Sequence, residues 1–335
     1  MSCHLSYNVL YCGERIRYHA HKFQPRTGAG IEDTMTKQEE IAALKAEKNA
    51  VILAHYYVEP EVQAVADYVG DSFYLSKQAQ GLPNPVIVYC GVNFMGESGK
   101  LLSPNKQVLM PDLHADCPMA HMVRKEDVDR MRAQYPDLAV VCYINSTAEI
   151  KTWADVCVTS ANAVKVVKAL PNQDILFIPD KNLGRFVAEQ IPEKNVMVLD
   201  GYCPIHNFVK PEELQALKEA HPAAKVLVHP ECPKEVLALA DYIGSTSGII
   251  KYATEHDDAE YIIGTEVGVR YDLERKNPGK RFYFPKTTPI CPDMKTITLD
   301  KIIHVLKTGD NQVQVSPEIA ATADKPLERM LELSK

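Results

Sequence analysis

From residue 37 onward the chain alternates short apolar, β-branched runs with amphipathic segments. VILAHYY, VIVYCG and QVLMPD read as strands, with EVQAVADYV, FYLSKQAQ and GESGKLL between them as helices or helix starts. The pattern continues through VVCYIN, ILFIPD and VMVLDG, then through VLVHPE, YIIGTE and RFYFPK. Strand-helix alternation of this kind predicts βαβ units, an α/β fold and mostly parallel sheets covered on both faces.

A search for self-similarity sharpens the picture. AHYYVEPEVQAVADYVGDS (54–72), CYINSTAEIKTWADVCVTS (142–160) and VHPECPKEVLALADYIGST (228–246) align without gaps. Each carries a ring side chain at its first strand's end: His55, Tyr143 and His229. An Asp follows 12 positions later (Asp67, Asp155, Asp241) and a hydroxyl 17 positions later (Ser72, Ser160, Thr246). The ring residues are 88 and 86 positions apart, too long for a solenoid unit. The spacing instead predicts three pseudo-symmetric αβα domains with parallel sheets around a central axial site. The expected boundaries are 37–116, 117–202 and 203–292, with 293–335 packing on the first domain. Residues 1–36 have no clear period and read as a poorly ordered extension.

The third strand-like run of each repeat leads into a Cys-Pro: Cys117-Pro118, Cys203-Pro204 and Cys291-Pro292. They lie 62, 60 and 62 positions after the ring residue, so three equivalent cysteines converge on the pseudo-symmetry axis. Such a soft, electron-rich donor set suits an iron–sulfur cluster or zinc. Structural zinc usually takes four ligands in closely spaced pairs, and no fourth cysteine occupies an equivalent position. A 4Fe–4S cluster on three thiolates leaves one iron open as a Lewis acid, which points to catalysis. The bland alternative is a packing position preserved by the repeat. Cys232 breaks the symmetry and reads as structural; Cys90, Cys142 and Cys157 read as apolar fillers. Cys3, Cys12, His19 and His21 fit no zinc spacing.

Composition narrows the classes. The chain has 335 residues, 46% hydrophobic and 24% charged, enough for a substantial core. A net charge of −7 argues against a nucleic-acid surface. No apolar run approaches a membrane span or a signal peptide, so a cytoplasmic location is expected. Nine cysteines in a reducing compartment are not a disulfide framework.

Ligands of α/β sheets sit beyond the strands' carboxyl ends, which places His55, Tyr143 and His229 around the cavity of the cysteines. Ser72, Ser160 and Thr246 open helices, where a capping hydroxyl and free N–H groups bind phosphate or carboxylate. Glu231 is a candidate general base against a reading as a solvated helix-start charge. Tyr57, Asn145 and His206 are candidates of the same kind.

From residue 37 to the end these stretches resemble quinolinate synthase, the family that makes the pyridine ring of NAD. ILAHYYVEPEVQAVADYVGDS, GVNFMGESGKLLSPNK, GYCPIHNF, VHPECPKEVLALADYIGSTSGI, IGTEVG and CPDMK carry the likeness. The resemblance implies three αβα domains around one 4Fe–4S cluster on Cys117, Cys203 and Cys291. It implies condensation of iminoaspartate with dihydroxyacetone phosphate, and a functional link to the enzyme that produces iminoaspartate. It implies catalytic roles for His55, Tyr57, His206 and Glu231. Substrate contacts fall on Ser72, Tyr143, Asn145, Ser160, His229 and Thr246. The cysteine-rich motif that some members carry near the last ligand is absent from CPDMK. Two other readings stay open: another 4Fe–4S hydro-lyase, and a non-enzymatic iron–sulfur carrier.

Overall fold

Three four-stranded sheets, every neighbouring pair parallel, form the frame of the protein. The computed structural model describes residues 35–287 and 289–335. The first sheet contains β1 (Ala50–His55), β2 (Tyr68–Gly70), β3 (Val86–Cys90) and β4 (Gln107–Leu109). The second contains β5 (Ala139–Tyr143), β6 (Val156–Val158), β7 (Asp174–Ile178) and β8 (Asn195–Val198). The third contains β9 (Lys225–Val228), β10 (Tyr242–Ile243), β11 (Glu260–Gly264) and β12 (Arg281–Tyr283). Each has its second strand outside its first, in the orders β2-β1-β3-β4, β6-β5-β7-β8 and β10-β9-β11-β12. The Cys-Pro pairs therefore follow the fourth strand of each sheet, the short second strand being additional to the three apolar runs.

The repeated Asp has a structural role that explains its spacing. Asp67, Asp155 and Asp241 accept the N–H of Ile52, Val140 and Val226 at 2.8, 2.7 and 2.8 Å. The carbonyls of those same three residues accept the Asp N–H groups at 3.0, 2.9 and 2.8 Å. Each Asp thus ties the start of the second strand to the first, satisfying ladder groups that would otherwise go unpaired.

β1 and β5 are buried at every position, as expected of central parallel strands covered on both faces. One apolar cluster runs through the first two sheets, while two smaller ones lie around the third. Thr36, expected in the N-terminal extension, caps the helix Lys37–Lys48. Its hydroxyl accepts the Glu39 N–H at 3.3 Å and Glu39 accepts the Thr36 N–H at 2.8 Å, a reciprocal box that fixes the helix start. The expectations for residues 1–34, with their cysteines and histidines, lie outside the described residues.

The C-terminal segment reaches further than the first domain. The helix Leu299–Thr308 packs on Lys37–Lys48, but Pro317–Leu333 lies against β6 and the helices Ala148–Lys151 and Asn93–Leu102. Its apolar stripe, including Ala323, Leu327 and Met330, joins the cluster shared by the first two sheets. Among the described residues no helix is long and apolar enough to cross a membrane.

Candidate active site

Each repeat sends four side chains into one cavity. The ring residues His55, Tyr143 and His229 end or directly follow the first strand of their sheets. Two positions on, the chain turns and presents Tyr57, Asn145 and Glu231. After the short second strand come Ser72, Ser160 and Thr246, and after the fourth come Cys117, Cys203 and Cys291. His206, three residues beyond Cys203, also lines the cavity. All thirteen residues singled out from sequence line that cavity.

The hydroxyls are not helix caps, however. The cap of the helix Ser72–Gly81 is Asp71, which accepts the Tyr74 N–H at 3.0 Å, and that of Thr246–Glu255 is Ser245, which accepts the Gly248 N–H at 3.1 Å. Asn162 occupies the cap position of Ala163–Ala169 and turns its Oδ1 back to the Thr159 N–H at 2.6 Å. The cap needs extended φ and ψ, and that residue falls one position before Ser72 and Thr246. Two of the hydroxyls thereby reach across the cavity. Thr246 Oγ1 lies 2.7 Å from the Tyr57 hydroxyl and Ser160 Oγ lies 3.2 Å from His229 Nε2.

Proline explains how the cysteines are presented. It disfavours helical backbone in the residue before it, and Cys117 and Cys291 are extended, with Pro118 and Pro292 each opening a short helix. A carboxylate accepts each cysteine's N–H: Asp116 for Cys117 at 2.8 Å, Asp180 for Cys203 at 3.0 Å and Glu266 for Cys291 at 3.1 Å. Burial pushes all three thiols up, Cys291 to about 11; Cys291 adds to the effect on Cys117, and Glu231 and Cys117 to that on Cys203. Three thiols facing one cavity are soft donors that bind a metal once deprotonated. Cys203, His206 and Glu231 also bring ligand atoms within 4.8 Å of one another. Cys90, Cys142, Cys157 and Cys232 are buried within the sheets and their loops.

A hydrogen-bonded chain crosses the cavity. Glu231 Oε2 lies 2.7 Å from His206 Nδ1 and 3.3 Å from His229 Nδ1. His206 Nε2 lies 2.9 Å from Thr265 Oγ1, which lies 3.0 Å from the Tyr57 hydroxyl. Burial works to raise Glu231, but His206 and His229 outweigh it and hold the carboxyl below its usual range. Burial, followed by His229, takes His55 down to about 3, and its Nδ1 accepts the Tyr57 N–H at 3.2 Å. The neutral His55 ring therefore carries its proton on Nε2. Burial and then Glu231 raise the phenols of Tyr57 and Tyr143 well above their ordinary value. Asp71 Oδ2, Asn145 Oδ1 and Glu231 Oε1 are buried at the cavity without a protein partner, so a ligand there meets acceptors as well as donors.

The family model described as Quinolinate synthetase A protein matches residues 39–332. The chain belongs to that family. It is 51% identical over 296 residues to a quinolinate synthase of Clostridioides difficile, covering 88% of this chain and 96% of the relative. To that of Fusobacterium nucleatum it is 52% identical over 297 residues, covering 89% and 99%. To that of Aquifex aeolicus it is 48% identical over 308 residues, covering 90% and 96%.

Thr265, Glu266 and Lys295 were passed over in the sequence analysis. Glu266 is fully buried and takes the N–H groups of Cys291 and Gly268, the latter at 2.6 Å. Lys295 Nζ lies 3.1 Å from Glu266 and donates to the Tyr57 carbonyl at 2.6 Å. The pair joins the Tyr57 turn to the Cys291 turn. A carboxylate two residues beyond the apolar run YIIG was the available signal, since solvated charges seldom follow a buried strand so closely. Gly268 is needed there for proximity alone: a Cβ would come within 2.6 Å of the Tyr56 carbonyl and 2.7 Å of Tyr57 Cα. Gly268→Ala is expected to destabilise the protein by about 1–3 kcal/mol through this overpacking. Urea denaturation checks it, and a midpoint equal to wild type would show that the two turns separate freely.

Proposed function

We propose that this enzyme condenses iminoaspartate with dihydroxyacetone phosphate, yielding quinolinate, phosphate and two waters, beside a 4Fe–4S cluster held by Cys117, Cys203 and Cys291. The observation that carries the reading is the convergence of three equivalent cysteines on one cavity lined by three sets of polar side chains. The donor set fits the cluster: three free, half-buried cysteines facing one cavity, each with its backbone N–H already satisfied by a carboxylate. Three thiolates leave one iron open, which supplies a Lewis acid for a substrate oxygen during loss of water.

The remaining chemistry falls to the chain's own groups. The substrates bring a phosphate and two carboxylates; Ser72, Ser160, Thr246, Tyr143, Asn145 and the His55 Nε2–H offer hydrogen bonds to them. Glu231, with one oxygen on His206 and the other unpartnered, takes and returns protons at the carbons next to the imine and the carbonyl. Tyr57 and His206 handle protons at the opposite wall. Val92, Phe94, Ile205 and Met294 give the cavity apolar wall that restricts water.

The test is anaerobic reconstitution with iron and sulfide, followed by metal analysis and assay with both substrates. About four iron and four sulfide per chain, with quinolinate as product, are expected. A cluster without quinolinate would favour another dehydratase. A protein that takes up neither iron nor sulfide would remove the cluster from the reading. The Cys203–His206–Glu231 group supports a second reading, a single-ion site. That site would keep its metal when Cys117 and Cys291 are both replaced by alanine.

A further inference from the structure

Thr265 is fully buried, lines no part of the cavity wall, and touches both Tyr57 and His206. We propose that Thr265 is a positioning residue for the condensation, its one hydroxyl holding the Tyr57 phenol and the His206 ring in a fixed donor order. The inference rests on the reaction assigned above, because it concerns two groups that handle protons in that reaction.

The order follows from the carboxylate. Glu231 Oε2 accepts from His206 Nδ1 at 2.7 Å, so that nitrogen carries the ring proton. In the neutral ring Nε2 has a lone pair, and Thr265, 2.9 Å away, donates to it. A hydroxyl has one proton, so Thr265 accepts from the Tyr57 O–H at 3.0 Å. The Tyr57 oxygen in turn accepts from Thr246 at 2.7 Å. The result is a directed chain, Thr246 to Tyr57 to Thr265 to His206 to Glu231, in which the phenol proton points away from Thr246. Without Thr265 the phenol and the imidazole lose their common partner, and the phenol proton loses its fixed acceptor.

The fold itself does not ask for this hydroxyl. Thr265 directly follows β11, and the residues directly following β3 and β7 are Gly91 and Pro179. Neither has a hydroxyl, although both sheets have the same strand order. The backbone around Thr265 is anchored independently: the Gly264 carbonyl accepts the His229 N–H at 3.1 Å, and Glu266 accepts the Gly268 N–H. The side chain is therefore available for a task that the turn does not need.

Thr265→Val keeps the shape and removes the hydroxyl; Thr265→Ser keeps the hydroxyl. Both are to be reconstituted anaerobically beside wild type, with iron, sulfide, kcat and both KM values measured. The valine variant is expected to keep its iron and sulfide and its KM values within about twofold, while kcat falls about tenfold or more. The serine variant should recover kcat to within about threefold of wild type. In a Tyr57→Phe background the valine change should cost clearly less than it does in wild type, because one of its two partners is already gone. Wild-type kcat in the valine variant would overturn the proposal. So would a serine variant as slow as valine, a kcat loss that tracks lost iron, or a full further loss in the Tyr57→Phe background. Absence of quinolinate formation by wild type would instead count against the assigned reaction.

Discussion

Replacing Cys291 by alanine is expected to remove iron, sulfide and quinolinate formation together, while leaving the chain folded. Cys291 lines the cavity at the edge of the apolar cluster, so its thiol contributes modestly to packing. The turn around it is held by other groups. Its N–H goes to Glu266, and Lys295, four residues on, reaches both Glu266 and Tyr57. Alanine preserves all of these backbone contacts, and a loss of stability of about 1 kcal/mol or less is expected. The remaining Cys117 and Cys203 offer two thiolates, too few to hold a cube against exchange. Cys232→Ala is the control. Cys232 is fully buried, its thiol faces the Gly264 carbonyl at 3.5 Å, and it lines no part of the cavity. That variant should lose stability through the small void but keep its iron and sulfide. Metal and sulfide analysis beside denaturation curves separates the two. A Cys291→Ala chain that still held a full complement of both would exclude Cys291 as a ligand.

The threefold spacing was legible because each repeated residue answers the same local requirement three times. Asp67, Asp155 and Asp241 recur since each second strand must be fastened to the first by the same pair of backbone bonds. The cysteines recur beside proline, which disfavours helical backbone in the residue before it at each corner of the cavity. Periodicity alone could not separate these causes, and the Asp and Cys positions looked equally regular. The short strands β2, β6 and β10 were harder to see, having two or three residues and no room for an alternating pattern. The course of Pro317–Leu333 was not legible either. Its stripe fits any apolar surface, and only the packed structure shows it bridging two sheets.

What breaks the symmetry was the least legible part of the site. Thr265, Glu266 and Lys295 have no counterparts at the corresponding positions of all three repeats, so alignment of the repeats hides them. Asp180 and Glu266 both lie two residues beyond the third strand of their sheets, but Val92 stands at that place in the first. There the carboxylate for the cysteine N–H comes from Asp116, next to the cysteine itself. Two of the capping residues, Asp71 and Ser245, were misplaced by one position for a related reason. A run such as GDS or GST contains two plausible caps, and the choice is made by backbone angles that the sequence does not display.

Glu231→Gln should leave the binding site nearly intact and remove most of the turnover. The carboxyl is buried, with Oε2 shared by His206 and His229 and Oε1 facing no protein donor. Glutamine has the same shape, and its carbonyl oxygen can still accept from His206 Nδ1. Its other atom becomes an NH2 group, which can neither accept the substrate's hydrogen bond nor take up a proton. A general base of this kind typically contributes 10²–10⁴-fold, so kcat should fall within roughly that range. Iron and sulfide should be unchanged, because the three cysteines and their carboxylate partners are untouched. KM should move far less than kcat if the anionic groups are held by the hydroxyls, Tyr143 and Asn145. The variant also separates proton transfer from charge balance. If the carboxylate acts only by its charge on the nearby histidines, Glu231→Asp, which keeps the charge but shortens the reach, should retain wild-type turnover. If it acts by carrying a proton to and from the substrate, the shorter side chain should be slowed as well, with KM again little changed. Turnover equal to wild type in the glutamine variant would take Glu231 out of the chemistry, leaving Tyr57 and His206 as the groups that handle the substrate's protons.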